Sequence, residues 1–426
     1  MRRWAKHALA SAAVLAAAGC PRPHGAGGGP PANAELELRV GLAVGAPYAS
    51  LGGIDGGELL LTEEASAAPV GSIPAGDRWR VVPDSADGSR LRLVKPDGTR
   101  TDAYRSIAAV NVTENRFAIA NGRRYRGRIH VAAIRGGLMV LNRVALESYV
   151  AGVVGPEIGV RRPDEEAAVL AQAVVSRSFA LKNRGRWESV GGGQGFDAYA
   201  DTRDQVYLGV SAETPQVWEA VRKTTGQVLQ YDGEVIDAYF HSTCGSSTVG
   251  VEEAFATAQP RPYLRPVSDQ SGGGHYYCDI SPRFRWREEW DGPKLRAILS
   301  RTLPTVTPLS GDSLQRITDV TVTRTTRSGR VGELRIVFER GDVRIPAPDV
   351  RTVLRPDPDR ILHSGAFQLT VTRSDGQVSR VVAAGAGSGH GVGMCQWGAI
   401  GRARAGQDYR TILTTYFPGT KIERLY

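Results

Sequence analysis

Alternation of apolar and polar residues dominates the first third of the chain. The runs LELRVGLAV, WRVVP, RLRLVKP, YRGRIHVAAI and LMVLNRV are separated by Gly, Asp and Pro turns, which predicts short strands and a β-rich region over 35–141. The period then changes. Residues 144–184 read VALESYVAGVVGPEIGVRRPDEEAAVLAQAVVSRSFALKNR: a short amphipathic helix, a break at Gly155-Pro156, and a second, alanine-rich helix. Pro163 suits a first helical position, Asp164, Glu165 and Glu166 load the first turn with negative charge, and Gly185 follows the last turn. Beyond the glycine cluster Gly191–Gly195 the pattern predicts a helix from Pro215 to Thr224. A strand pair then turns at Asp232-Gly233, its second strand running from Val235 to His241 into the polar loop Ser242–Thr248. Hairpins return between about 316 and 380 (ITDVTVTR, LRIVFER, FQLTVTR), with a small helical piece at Asp349–Leu354, and a helix near Tyr409–Tyr416 closes the chain. Helices gathered among β-rich stretches, without regular βαβ alternation, predict an α+β fold. The expected order is a β-rich N-terminal portion, then a mixed helix/strand domain over 142–426 with a β-hairpin-rich insertion at about 310–380.

The N-terminus follows another logic. Arg2, Arg3 and Lys6 precede an apolar run from Ala8 to Ala18, which ends in Ala17-Ala18-Gly19-Cys20. A basic region, a short apolar region and small residues at a cut site make residues 1–20 a secretory signal, too short for a comfortable membrane span. Cysteine directly after the small residues resembles a bacterial lipobox, so Cys20 is the expected lipidation site, with plain cleavage the alternative. Residues 21–34, PRPHGAGGGPPANA, have the composition of a flexible linker. The expected location is therefore the cell envelope, outside the cytoplasm and tethered to membrane through a lipid. A net charge of +9 comes from scattered arginines without a basic-aromatic stripe, so no nucleic-acid partner is expected; a polyanionic envelope is the neighbour that charge suits.

Candidate chemistry centres on the two helices after residue 144. Leu170, Val174, Arg177 and Leu181 share one face by three-and-four spacing, and a buried guanidinium needs a carboxylate or several acceptors. Arg177 either snorkels to water at the edge of the stripe or meets an acid. Glu157, just past Gly155-Pro156, is the nearest candidate in sequence.

Four stretches extend this reading: LESYVAGVVGPEIG with AQAVVSRSFAL, FDAYADTRDQVYLG, YFHSTCGSS with PYLRPV, and GHGVGMCQWGA with YFPG. Together, in this order, they resemble the SpoIID/LytB family of bacterial cell-wall proteins. The resemblance implies a catalytic domain that cleaves peptidoglycan glycan strands as a lytic transglycosylase, and the family also contains modifiers of cell-wall amidases. Ordinary glycosidases flank the bond with two carboxylates; a lytic transglycosylase uses the substrate's own C6 hydroxyl as nucleophile, so one suffices. Glu157 matches the family glutamate and is the expected acid/base, with a raised pKa. Arg177 matches the family arginine, expected to orient Glu157 or to bind an acidic group of the glycan. Tyr263 and Arg265, together with Ser242, Thr243 and His390, stand at positions expected to contact substrate. Asp201, Thr202, Gln205 and Tyr207 fit a further family stretch, either as site residues or as structural hydrogen-bonding groups.

Three cysteines lie beyond Cys20. His241-x-x-Cys244 and His275-x-x-Cys278 form two pairs with the spacing of a tetrahedral zinc site, and some members of the family carry zinc near the active site. An oxidising compartment favours a Cys244–Cys278 disulfide instead. The expected glycan chemistry requires no cofactor, so zinc would be an addition to it. Cys395, in an apolar glycine-rich stretch, reads as a buried small hydrophobe. The competing functions are a noncatalytic glycan-binding enhancer of a cell-wall amidase, and a Cys/His peptidase built on His390 and Cys395.

Overall fold

The computed structural model describes residues 36–86, 88–112, 117–255, 258–307 and 316–426. Cys20 with its leader, the segment 21–34 and the expected start of the insertion at 310–315 lie outside the described residues.

All five alternating runs form strands, distributed over two sheets. The seven-stranded sheet runs, edge to edge, through Ala198–Tyr199, Glu37–Ala46, Gly137–Ala145, Arg128–Ile134, Ser106–Asn111, Leu59–Glu63 and Pro69–Ile73. The five-stranded sheet orders Leu91–Val94, Arg78–Pro83, Ala49–Gly52, Ala118–Ala120 and Arg123–Tyr125. Side-chain alternation explains the faces: Trp79 and Val81 are buried while Arg78 and Arg80 are exposed, and Leu91 and Leu93 are buried beside them. These inward rows belong to one continuous core with the helices that follow.

Strand Gly137–Ala145 leads without a loop into helix α1, Leu146–Ile158. Here the structure corrects the expected break at Gly155-Pro156. α1 continues through Pro156 and Glu157 and ends at Gly159, whose φ of 73° suits glycine and whose amide returns to the Gly155 carbonyl. Proline inside a helix orphans the carbonyl four residues earlier. That carbonyl, on Gly152, is taken by the Leu208 amide at 3.1 Å. Two glycines let the 205–212 segment come this close, since a Cβ on Gly152 would sit 2.3 Å from the Tyr207 ring and one on Gly155 would sit 2.3 Å from the Ala212 carbonyl oxygen. A tertiary hydrogen bond therefore replaces the helical one, and Glu157 sits on the last turn of α1.

A 3-10 turn over Pro163–Glu165 opens helix α2, Glu166–Lys182. Every residue from Ala171 to Ala180 is buried, which makes α2 the central helix, in contact with α1, with α3 (Pro215–Lys223), with strand Gln227–Tyr231 and with the helices Gln396–Arg404 and Tyr409–Tyr416. Thr214 caps α3 as its side chain accepts from the Val217 amide. The Asp232-Gly233 turn exists with both residues at positive φ, as a two-residue hairpin loop requires. The expected strand Val235–His241 does not run through: Glu234–Val235 closes the hairpin, and Phe240–His241 pairs in parallel with Met394–Cys395 instead. The chain thus leaves one sheet to meet the glycine-rich 387–395 stretch.

The hairpin-rich region forms as sheets and begins well before 310. Its two antiparallel three-stranded sheets are Ile317–Thr325, Val331–Phe338, Asp342–Pro346 and Arg285–Asp291, Gln377–Ala386, Phe367–Ser374. They enclose an apolar core of their own around Trp290, Leu299, Leu334, Ile336 and Val381. Arg285–Asp291 is mostly charged and buries Trp286 and Trp290 on one face with the charged Glu288 between them, so alternation of apolar and polar residues is missing, and the four-residue spacing fits a helix as well as a strand. The expected helices at Asp349–Leu354 and Tyr409–Tyr416 appear as Ala347–Val353 and Tyr409–Tyr416. The fold is α+β with a β-rich N-terminal part. Among the described residues no helix is long and apolar enough to cross a membrane.

Candidate active site

Glu157 is half-buried at the C-terminal end of α1. Its Oε1 accepts the Val206 amide at 2.8 Å, and its own carbonyl accepts Nε2 of Gln396 at 3.0 Å. The same Nε2 lies 3.2 Å from Oε1 of Gln172, whose amide group in turn donates to Ser176. Burial raises the Glu157 pKa above the ordinary 4.5, opposed by the Val206 amide and by the Gln396 side chain. No charged neighbour is among the groups that act on it, taken over the described residues.

The loop that supplies the Val206 amide is fixed on both sides. Gln205 accepts the Tyr149 hydroxyl at 3.0 Å, and the Tyr207 hydroxyl donates to Asn142 at 2.7 Å. Tyr207 stacks with Tyr125 and Tyr149, with ring centroids 5.9 and 5.3 Å away. Asp204, next in line, holds the Trp187 indole and the Tyr199 amide. Gln205 and Tyr207 are thus structural hydrogen-bonding groups that aim the residue between them at Glu157. Asp201 pairs with Arg203 at the surface.

Arg177 does not meet Glu157. Its guanidinium, with no exposed side-chain surface, makes a two-pronged pair with Glu147 on the first turn of α1, Nε to Oε1 at 2.8 Å and Nη2 to Oε2 at 2.6 Å. Nη1 donates to the Gln227 carbonyl at 3.0 Å, and the Tyr426 hydroxyl also donates to Glu147. The apolar face did signal a partnered cation; the acid that satisfies it stands thirty positions back on α1. Sealed in this way, Arg177 positions helices and has no surface to offer a glycan.

Of the expected substrate residues, Ser242, Thr243 and His390 gather along the 388–397 stretch: the Ser242 carbonyl accepts the Trp397 amide at 3.0 Å, and Thr243 bridges Ser388. Tyr263 is buried with its ring 5.5 Å from Tyr231, and Arg265 is exposed. Ser242 is half-buried and Thr243 is buried against the Ser281 hydroxyl at 2.7 Å. His390 stands among Tyr239, His241 and Phe255, with ring centroids 6.0, 5.6 and 5.4 Å away. Its Nδ1 accepts the Val392 amide. Burial, helped by the charges of Arg351 and Arg330, pulls its pKa down to about 4, so it is neutral at pH 7. Burial and the same surroundings push His241 well below 6.5.

The two His-x-x-Cys pairs do not converge. His241 turns its Nδ1 to the Val392 carbonyl at 3.1 Å, while His275 is exposed on the hairpin of Gln270–Gly272 and His275–Tyr276 and pairs with Asp279. Cys244 and Cys278 do come together, as free thiols with their sulfurs 3.4 Å apart, beyond the roughly 2.05 Å of a disulfide bond. Cys395 joins them, accepting the amides of Cys244 and Gly398 at 3.2 Å each. Its thiol is enclosed among these partners, which removes the basis for a His390/Cys395 nucleophile pair.

Val206, Gln172, Gln396 and Trp397 were not legible as site residues. Gln396 and Trp397 lie inside the GMCQWG stretch, whose glycines are its most distinctive feature in sequence. The Trp397 ring carries the Arg161 guanidinium 5.5 Å from its centroid, and Val160 beside Arg161 is exposed. These residues form an aromatic and cationic rim next to the Glu157 turn.

An α+β scaffold that holds one carboxylate, Glu157, at a helix end, among amide donors and beside the half-buried Trp397 ring, defines the candidate site. The model of the SpoIID family, described as stage II sporulation protein, matches residues 134–231, which contain α1, α2 and the Val206 loop. A domain of unknown function, DUF8618, matches 270–393 and spans the insertion. An uncharacterized protein of Brachyspira hyodysenteriae is 32% identical over 316 residues, 73% of this chain and 75% of the relative. Stage II sporulation protein D of Bacillus subtilis is 25% identical over 309 residues, covering 69% and 79%. The amidase enhancer of the same organism is 25% identical over 279 residues, covering 60% of this chain and 38% of that protein. The chain belongs to the SpoIID/LytB family.

Proposed function

We propose that this protein acts on the cell wall by cleaving peptidoglycan glycan strands as a lytic transglycosylase, with Glu157 as acid and then base. The observation that carries the reading is Glu157 itself: a half-buried carboxylate with a raised pKa and, among the described residues, no charged partner. In its protonated form Glu157 gives a proton to the glycosidic oxygen as the C1–O bond breaks. The resulting carboxylate takes the proton of the substrate's C6 hydroxyl, whose oxygen closes on C1 to leave a 1,6-anhydro end. The Val206 amide, bound to Oε1, stabilises the carboxylate between the two transfers. Trp397 offers a flat apolar face to a sugar ring and Arg161 a cation to an acidic substituent. This chemistry runs through Glu157 with no cofactor. The site of action is the cell envelope, outside the cytoplasm, with Cys20 as lipid anchor.

Similarity to the amidase enhancer supports a second reading, a glycan-binding protein that enhances a cell-wall amidase without cutting. Mass spectrometry of products from intact and peptide-stripped strands separates the two. Anhydro ends with the native protein and none with Glu157→Gln are expected. Strand binding indifferent to Glu157, with no anhydro product, would establish the noncatalytic role.

A further inference from the structure

Cys244, Asp269, Cys278 and Cys395 place three sulfurs and a carboxylate oxygen within 4.8 Å of one another, all four residues buried. They arrive from separate segments: the loop after strand Phe240–His241, the stretch before the Gln270–Tyr276 hairpin, the 3-10 turn Tyr277–Ile280, and the N-cap of helix Gln396–Arg404. Such convergence differs from an apolar cysteine cluster in one respect. Asp269 is fully buried and turns Oδ2 toward Cys244 Sγ, 3.7 Å away, while Oδ1 is held by the Tyr416 hydroxyl at 2.6 Å and by Arg402 Nε at 3.3 Å. A carboxylate so oriented, its Oδ1 ion-paired with Arg402 Nη2 at 3.2 Å, presents its other oxygen to three thiols in a dry pocket, where a metal cation is the partner that can engage all four. Cys395 is already dressed as a ligand, since the two amides that donate to its sulfur stabilise a thiolate.

We propose that Cys244, Asp269, Cys278 and Cys395 bind one structural zinc ion. Three soft donors with one hard donor, four in all, match the coordination number and ligand preference of Zn2+. Because the protein supplies every donor, the centre holds structure and leaves no position for substrate. Binding releases the thiol protons to solvent as each cysteine becomes a thiolate. The centre clips together the loops on either side of the Phe240–His241 and Met394–Cys395 pairing, and the residue after Cys395 is Gln396, which holds the Glu157 carbonyl. His241 and His275 take no part.

The full-length protein, purified reduced and without chelator, is expected to carry one zinc per chain by elemental analysis after exhaustive desalting. Replacement of zinc by cobalt is expected to give thiolate-to-cobalt charge-transfer absorption and the visible bands of a tetrahedral ion. Cys395→Ser and Asp269→Asn should each lose zinc readily to a chelator, whereas His275→Ala should retain it like the native chain. The cobalt spectrum tests the ligand set even where a variant fails to fold. Folded protein without metal, a Cys244–Cys278 disulfide in peptides mapped without reductant, iron in place of zinc, or a cobalt spectrum lacking thiolate bands would each overturn the proposal. None of these readouts depends on glycan cleavage, so they stand apart from the assignment of Glu157.

Discussion

Arg177 and Glu147 form a two-pronged ion pair that joins the middle of α2 to the first turn of α1, with both nitrogen–oxygen distances at or below 2.8 Å. Breaking a buried pair by removing one member leaves an uncompensated charge and costs about 3–5 kcal/mol. Arg177→Ala is therefore expected to lower unfolding free energy by roughly that amount, read by urea denaturation. Arg177→Lys should also destabilise, because an ammonium cannot reproduce the fork. The pH profile of kcat, measured on the folded protein, should not move, since the pair does not touch Glu157; a displaced profile would reinstate Arg177 in the chemistry.

Glu157→Gln tests the raised pKa through stability as well as activity. Burial lifts the folded-state pKa above the ordinary 4.5, so the fold favours the protonated acid. The native protein then has its full stability below the unfolded pKa and loses some of it as pH rises through the folded pKa. Glutamine keeps the oxygen that accepts from Val206 and never ionises. The melting temperature of Glu157→Gln relative to the native chain should consequently climb between acid and neutral pH and then level off. A difference that is flat or reversed would show that the carboxylate is not strained by its site.

Gly152→Ala probes how the Val206 amide is aimed. The added methyl would lie 2.3 Å from the Tyr207 ring, and overpacking of this kind costs typically about 1–3 kcal/mol. Tyr207 must shift, and the adjacent Val206 amide with it. The expected result is a loss in kcat larger than the loss in folded fraction, measured by product formation beside circular dichroism.

The sequence exposed those parts of the fold whose physics is local. Alternating runs mark five strands of the β-rich region, while strands such as Leu59–Glu63 and Ser106–Asn111 carry no such run; Pro163 and the acidic turn mark α2, and Asp408, whose side chain accepts from Thr411, begins the helix expected near Tyr409. What stayed hidden is non-local. Pro156 reads as a break unless Leu208 is known to take the Gly152 carbonyl, and the acid for Arg177 lies a helix away. His241 reads as a zinc ligand until its strand pairs with Met394–Cys395. Glu157 was legible because the motif that carries it is contiguous. Its partners Val206 and Gln396 come from elements 49 and 239 residues distant, and a main-chain amide leaves no trace in side-chain identity.

Gln396 offers the sharpest separation of a positioning role from a packing role. Its side chain lowers the Glu157 pKa while burial raises it, burial being the larger influence. Replacing it by leucine of similar size removes the opposing hydrogen bond and leaves burial unchecked. The folded-state pKa of Glu157 should then rise further, so the alkaline limb of the kcat profile, where the acid form is lost, moves to higher pH. Maximal kcat should fall, because the Glu157 carbonyl and Gln172 both lose the donor that ties the end of α1 to helix Gln396–Arg404. Gln396→Glu is the companion variant: a carboxylate that ionises there adds a like charge beside Glu157 and displaces the limb in the same direction. If Gln396→Leu lowers kcat with its pH limb unmoved, Gln396 supports the helix end alone, and the tuning of Glu157 belongs to burial and the Val206 amide.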